Sequence, residues 1–185
     1  MDVIRYAWNA NALGDYLAAG SHAGLVDLAF AGHRGAAEDM LRIRFPDARL
    51  SHDPAWFRRI FDDLDRLVEE PAVAIEIPLD LRGSQSERRI WSAIRTIPCG
   101  STLTHTALAH RCGMSDAAAV VRAVRDNPLP IVIPSHRVLA DDGAIIDHRW
   151  GLCRQRAMLR RERPGKPLLA ALDSPPIRRA LLAAE

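Results

Sequence analysis

The sequence is short of cysteine, almost without lysine, and free of long apolar runs. Its three cysteines, Cys99, Cys112 and Cys153, stand far apart and form no CxxC pair. That spacing gives no zinc signature and no disulfide framework, and it fits a reducing compartment. No stretch approaches the roughly 20 consecutive apolar residues that a membrane helix needs. The opening segment MDVIRYAWNANALGDYL has no basic stretch followed by an apolar one, so no signal peptide is expected. Lys166 is the one lysine among 25 basic residues, so arginine carries nearly all the positive charge.

What is present describes a globular protein. The 185 residues suffice for one ordinary domain or two small ones, and 48% hydrophobic residues can fill a core. The net charge of +2 hides an asymmetry: residues 1–80 sum to −6 and residues 81–185 to +8. A basic second half suits a polyanionic partner, although compositional drift would also produce the split.

The first 80 residues read as a small α/β unit. Gly14, Gly20, Gly24 and Gly32 punctuate apolar runs that read as strands. GAAEDMLRIRFPDA reads as a helix stopped near Pro46, with Ala37, Met40, Leu41 and Ile43 mostly on one face. DPAWFRRIFDDLDRLVEEP is a stronger helix, with Asp53 as N-cap and Pro54 as its first residue. Phe57, Ile60, Phe61, Leu64, Leu67 and Val68 form its apolar stripe. AVAIEIPLDLRG then predicts a strand running into a turn.

From residue 84 the pattern is helical. Ser84 and Glu87 have capping-box spacing before Ile90, Trp91, Ile94 and Ile97. THTALAHRCG is a short helix ended by Gly113. SDAAAVVRAVRDNP is another, with Ser115 as the expected N-cap and Pro128 as the stop. Two short helices joined by a tight turn make a helix-turn-helix candidate. LPIVIPSHRVL is too broken by proline for a helix and predicts a buried extended segment. WGLCRQRAMLRRERPG is a final helix, and residues 164–185 read as a tail with one expected short helix, PIRRALLAA.

Three stretches, taken in order, carry a resemblance: IPLDLRGSQSERRIWSAIRTIPCGSTLTHTALA, NPLPIVIPSHRVL and HRWGLCRQRAMLRRE. Over residues 3–163 the chain resembles the O6-alkylguanine-DNA alkyltransferases, above all the domain found at the C-terminus of bacterial Ada. The resemblance implies an α+β fold. A small N-terminal α/β, RNase H-like subdomain (1–80) would precede an all-helical C-terminal subdomain (81–163) with a winged-helix-like helix-turn-helix. It implies double-stranded DNA as partner, a monomer without cofactor or metal, and a place in the bacterial cytoplasm on the nucleoid. Other DNA-repair proteins are further partners to expect, and a membrane is not. In that family a damaged guanine flips out of the stack, and a cysteine irreversibly takes its alkyl group.

Residue by residue the match is mixed. Position 135 is serine where the family has its acceptor cysteine. Displacement at saturated carbon needs a thiolate, and a serine hydroxyl is far less acidic and less nucleophilic there. His136 resembles the family's base, Glu162 the carboxylate that orients it, and Asn127 a hinge residue. Pro134, Arg137, His148 and Trp150 fall in the lesion-binding motifs. The arginine that fills the gap left by the flipped base is missing, its place being Ala118 or Ala119. The tyrosine beside the target phosphate falls at His105, and SGY before RWG reads Ile146, Asp147, His148. Arg122 lies one helical turn after Ala118. Arg122, Arg125 and the Ser115 end of their helix are therefore the candidate DNA contacts.

Three functions follow from these residues. The first is an alkyltransferase-like protein that recognises DNA, including O6-alkylguanine, without accepting the alkyl group. The second is a methyltransferase seen through an engineered Cys-to-Ser change at 135. The third is a hydrolase using Ser135, His136 and Glu162. Adjacent residues of an extended segment point to opposite sides, and no GxSxG elbow is present, so the first reading is preferred.

Overall fold

The computed structural model describes residues 2–146 and 148–163. Asp147 and the 164–185 tail, with its expected short helix, lie outside the described residues.

Three strands, β1 (Val3–Asn11), β2 (Gly14–Ser21) and β3 (Gly24–Phe30), form an antiparallel meander. Helix α1 (Arg34–Arg44) then crosses over, and β4 (Arg49–His52) pairs in parallel with β1. The strand order is therefore β3-β2-β1-β4, as an RNase H-like unit requires. Strand alternation divides the apolar residues between the two faces. Ile4, Leu17, Ala19 and Val26 pack with Ala37, Leu41 and Phe45 on the α1 side. Ala7, Tyr16, Ala18 and Leu28 face the other way.

That second face meets α2 (Pro54–Glu69), whose Asp53 cap accepts from the Trp56 backbone N–H and whose first residue is Pro54. Phe57, Leu64 and Val68 are fully buried. The same core continues into the C-terminal half through α3 (Gln85–Arg95), α4 (His105–Arg111), α5 (Ala117–Arg125) and α6 (Leu152–Glu162). The Ser84–Glu87 capping box opens α3 in both directions. Trp91 of α3 is buried and donates its indole N–H to the Ala123 carbonyl at 2.8 Å, which fixes α5 against α3. The tight turn between α4 and α5 has Gly113 at φ 66°, the left-handed region that suits glycine at a helix end. The architecture is α+β.

Several expectations need correction. Met40 and Ile43 do not share the core face of α1: they are 63% and 71% exposed, and only Ala37 and Leu41 are buried. These two, four residues apart, make a seam too narrow to cover their neighbours. The AVAIEIP segment forms no paired strand. It alternates in burial, but it pairs with β3 only at the Leu25–Leu79 bridge just after it, and its one proline, Pro78, supplies no N–H. Ser115 does not cap α5. Asp116 does, accepting from the Ala118 N–H at 2.8 Å, because its carboxylate lies at the position from which the second helical N–H is reached. The C-terminal half is not wholly helical, since β5 (Leu103–Thr104) pairs in parallel with β6 (Val138–Leu139). Finally, the 129–139 segment is buried as expected but not fully extended. Ile131 takes φ 77°, and Ser135–Arg137 form one 3-10 turn.

Gly24 is the tightest point of the meander. It holds φ +146°, and a Cβ there would lie 2.3 Å from the Pro78 oxygen. Gly24→Ala should cost more than about 1 kcal/mol of stability. Gly32→Ala, where nothing lies within 4 Å, should stay within about 0.5 kcal/mol. Thermal or urea unfolding of the two variants checks the contrast.

Candidate active site

The site grows from the end of α5. Asn127 is buried, and its side chain is fully used. Its Oδ1 accepts from the Leu129 N–H at 2.9 Å, and its Nδ2 donates to the Ile133 carbonyl and to Ser135 Oγ, both at 2.9 Å. One amide thus clamps the whole 129–135 loop, including the positive-φ Ile131. The Ser135 N–H donates to the Ile133 carbonyl at 2.7 Å, and the Arg137 N–H to the Pro134 carbonyl at 2.9 Å. These bonds make the turn that places Ser135 and His136 side by side with different partners.

Ser135 Oγ lies 3.2 Å from His148 Nδ1, and the Trp150 indole nitrogen is 3.0 Å from the same atom. An indole N–H can only donate. His148 Nδ1 is therefore the unprotonated nitrogen, Ser135 donates to it, and the ring proton sits on Nε2, which has no partner among the described residues. Burial, then the positive charges of His136 and Arg125, push the His148 pKa from 6.5 down to about 3. The ring is neutral at any ordinary pH.

His136 belongs to a different network. Its Nε2 is 2.7 Å from Glu162 Oε1, at the C-terminal end of α6. Arg137 donates from Nε and Nη2 to the same carboxylate at 2.8–3.1 Å, and the Gly100 N–H donates to Oε2 at 3.0 Å. The Glu162 side chain is fully buried. Burial alone would raise its pKa, but the hydrogen bonds from His136 and Arg137 outweigh it and bring the carboxyl down to about 2. Burial is also the main cause holding the His136 pKa below its usual value. With Nε2–H turned to the carboxylate, the lone pair of neutral His136 is on Nδ1, which has no partner among the described residues.

Asn127, Pro134, Ser135, His136, Arg137, His148, Trp150 and Glu162 are therefore brought together. Ser115, Ala118, Arg122 and Arg125 are exposed at or on α5, away from that cluster, although the Arg125 charge acts on His148. His105 opens α4 with its Nδ1 3.4 Å from Asp141 Oδ1. Ser135 and His136 share no hydrogen bond, so the Ser-His-Glu triad of the hydrolase alternative does not form. Sequence reasoning named His148 as a lesion contact and missed it as the partner of Ser135. Two residues anchor the site unannounced. The Gly100 amide reaches Glu162, and Arg149 holds Asp27 of β3 at 2.8 Å. Nothing in the local pattern signals either, because both partners are remote in sequence. Cys99 is half-buried, Cys112 buried and Cys153 exposed, all unpaired.

The fold and the site define a helix-turn-helix protein with a buried side chain at a would-be acceptor position. Residues 85–164 match the family model described as 6-O-methylguanine DNA methyltransferase, DNA binding domain. The chain is 33% identical over 160 residues to the bifunctional transcriptional activator/DNA repair enzyme Ada of Escherichia coli, covering 86% of itself and 45% of Ada. It thus spans just under half of that relative. It is 30% identical over 164 residues to the methylated-DNA–protein-cysteine methyltransferase of Homo sapiens, covering 84% of itself and 79% of the human protein. A crystal structure of Mycobacterium tuberculosis OGT in complex with DNA superposes with TM-score 0.72 at 27% identity, covering 91% of this chain and 97% of that one. The chain belongs to the O6-methylguanine DNA methyltransferase family, a family of DNA repair.

Two of these groups should govern the acid limit of stability. His148 has a folded-state pKa near 3 against an ordinary 6.5. Below pH 6.5 the unfolded chain binds a proton that the folded chain refuses, so stability falls as pH drops, by up to about 1.4 kcal/mol per unit. Glu162, held near 2 against 4.5, adds stability that is present above 4.5 and lost as pH falls toward 2. His148→Gln should flatten the pH dependence of unfolding between 6.5 and 4.5 by about one proton. An unchanged slope there would contradict the buried neutral ring. Glu162→Gln should cost about 3 kcal/mol or more at pH 7, because it leaves Arg137 uncompensated. Denaturant unfolding at pH 7 measures that loss.

Proposed function

We propose that the protein binds duplex DNA through α4 and α5 and holds an O6-alkylated guanine beside Ser135 without accepting its alkyl group. The observation that carries this reading is the state of Ser135. Its hydroxyl is completely buried and accepts from Asn127 while donating to His148. A base with a pKa near 3 cannot take a proton from an alcohol, and His136, whose Nε2 bonds Glu162, makes no hydrogen bond to the hydroxyl. The serine therefore keeps the shape and polarity of the pocket and lacks a nucleophile's charge.

The DNA-binding part rests on family membership and on charge. Arg122 and Arg125 are exposed on α5, and neither joins an ion pair among the described residues. Free guanidinium groups on a helix-turn-helix face suit phosphates. Ala118 is exposed on the same helix, so the side chain that would fill a vacated base stack is short by most of its length. Arg122, one turn further, is the candidate replacement.

The test pairs the protein with Ser135→Cys on a duplex carrying one O6-methylguanine, read by binding and by intact mass. The Ser form should bind the lesion duplex in preference to the plain one and gain no mass. A gain of one methylene by the Ser form would overturn the reading. A gain by the Cys form alone would show a transfer site intact except for sulfur. Equal affinity for both duplexes would remove the lesion from the proposal. Arg122→Glu and Arg125→Glu should each weaken binding and, as phosphate contacts, lower the salt slope by about 1. Unchanged affinity in both variants would displace the DNA contact from α5.

A further inference from the structure

A second concavity lies at the outer edge of the sheet, where β3, α1 and the 149–150 segment part from one another. It measures about 540 Å³, within the range of small-molecule sites. Its walls include Phe30, Met40, Ile43 and Trp150. Among the described residues only four large apolar side chains stand exposed, and two of them, Met40 and Ile43, line this one cleft. Isolated apolar residues on a surface need no explanation, whereas a concave apolar patch with a charged rim does.

The rim supplies the charge. Asp27 is buried, and a single oxygen, Oδ1, takes both Arg44 Nη1 at 3.1 Å and Arg149 Nη2 at 2.8 Å. Two guanidinium groups converge on one carboxylate oxygen, while Asp126 and Glu87 act on Arg44 more weakly. Each arginine side chain remains 32% exposed and has unused N–H donors in a planar fork suited to a second carboxylate.

We infer that this cleft binds an amphipathic monocarboxylate, a small molecule with an extended apolar body and one carboxylate head. The body covers Met40, Ile43 and Phe30. The head sits between Arg44 and Arg149, on the guanidinium N–H groups that Asp27 leaves unused. The ligand is independent of DNA, and none of these residues is one to which the DNA-binding reading gives a role, apart from Trp150. That exception matters. Trp150 stacks against Phe30 with ring centroids 6.1 Å apart, and its indole N–H holds His148, the partner of Ser135. Two hydrogen bonds therefore separate a wall of the cleft from Ser135 Oγ.

The experiment is titration calorimetry of the full chain with sodium dodecanoate below its micelle threshold, with circular dichroism to show that the fold persists. One equivalent should bind saturably. Ile43→Asp, at a solvent-exposed position that folding does not depend on, and Arg44→Gln should each weaken binding about tenfold or more. Dodecanol should bind more weakly than dodecanoate by a similar factor. Absence of saturable binding, or equal binding by both variants, would overturn the proposal. Equal binding of dodecanol would remove the role of the arginines and overturn it too. Tighter binding after removal of residues 164–185 would identify the chain's own tail as the occupant, and preference for an acidic apolar peptide would make the cleft a protein-docking groove. Either result replaces the proposal.

Discussion

The buried carboxylate of Glu162 is the interaction on which the C-terminal half depends. It has no solvent contact and collects hydrogen bonds from His136, Arg137 and the Gly100 amide. Those donors come from the loop after α3 and the 3-10 turn that leads into β6, while the acceptor ends α6. An unpaired carboxylate could not stay ionised there. Each donor must therefore be in place before the acceptor is tolerable, which couples three remote stretches of chain in one step. Arg137 adds a further tie by donating to the Ile97 carbonyl at 2.6 Å.

Asn127 plays the matching role at the other end of the loop. It fixes the backbone on both sides of Ile131 and reaches Ser135 directly. The Ser135 turn is thus suspended between two saturated polar groups, one ending α5 and one ending α6. Since α5 also carries the exposed arginines and is held by Trp91, a displacement of the helix-turn-helix is transmitted to the loop through Asn127. This is a physical basis for the hinge role that the family resemblance implies.

The sequence made the elements legible wherever a local rule acts alone. The capping box at Ser84, the Asp53–Pro54 helix start and the apolar stripe of α2 all stand where spacing put them. The motif IPSHRVL together with LRRE located the buried cluster, because that pattern is long and specific. What stayed illegible depends on tertiary choice. Met40 and Ile43 read as core because a helical stripe does not reveal how much of itself a sheet will cover. Asp116 and Ser115 are both good caps, and the choice between them is settled by where the turn after Gly113 ends. The Ser135–His148 contact spans 13 residues and an irregular loop, so no period or motif encodes it. The same holds for Arg149 and Asp27, which are 122 residues apart.

A single atom separates Ser135 from the family's acceptor, and the surroundings decide what that atom means. A thiol with a pKa near 8.5 needs only modest help to ionise, and polar neighbours such as Asn127 would favour the anion. An alcohol needs a strong base, and the neighbour it has is His148, a ring made weakly basic by burial and already engaged by an indole N–H. Ser135, His148 and Trp150 form a chain of donors and acceptors that is satisfied without ionisation. The hydrogen bonds that Ser135 makes to Asn127 and His148 are ones a hydroxyl forms without losing its proton. The histidine in place of the family's tyrosine points the same way, since it serves the serine by accepting its proton's hydrogen bond. Serine and histidine are thus explained together, as two halves of a neutral pair, one donating and one accepting.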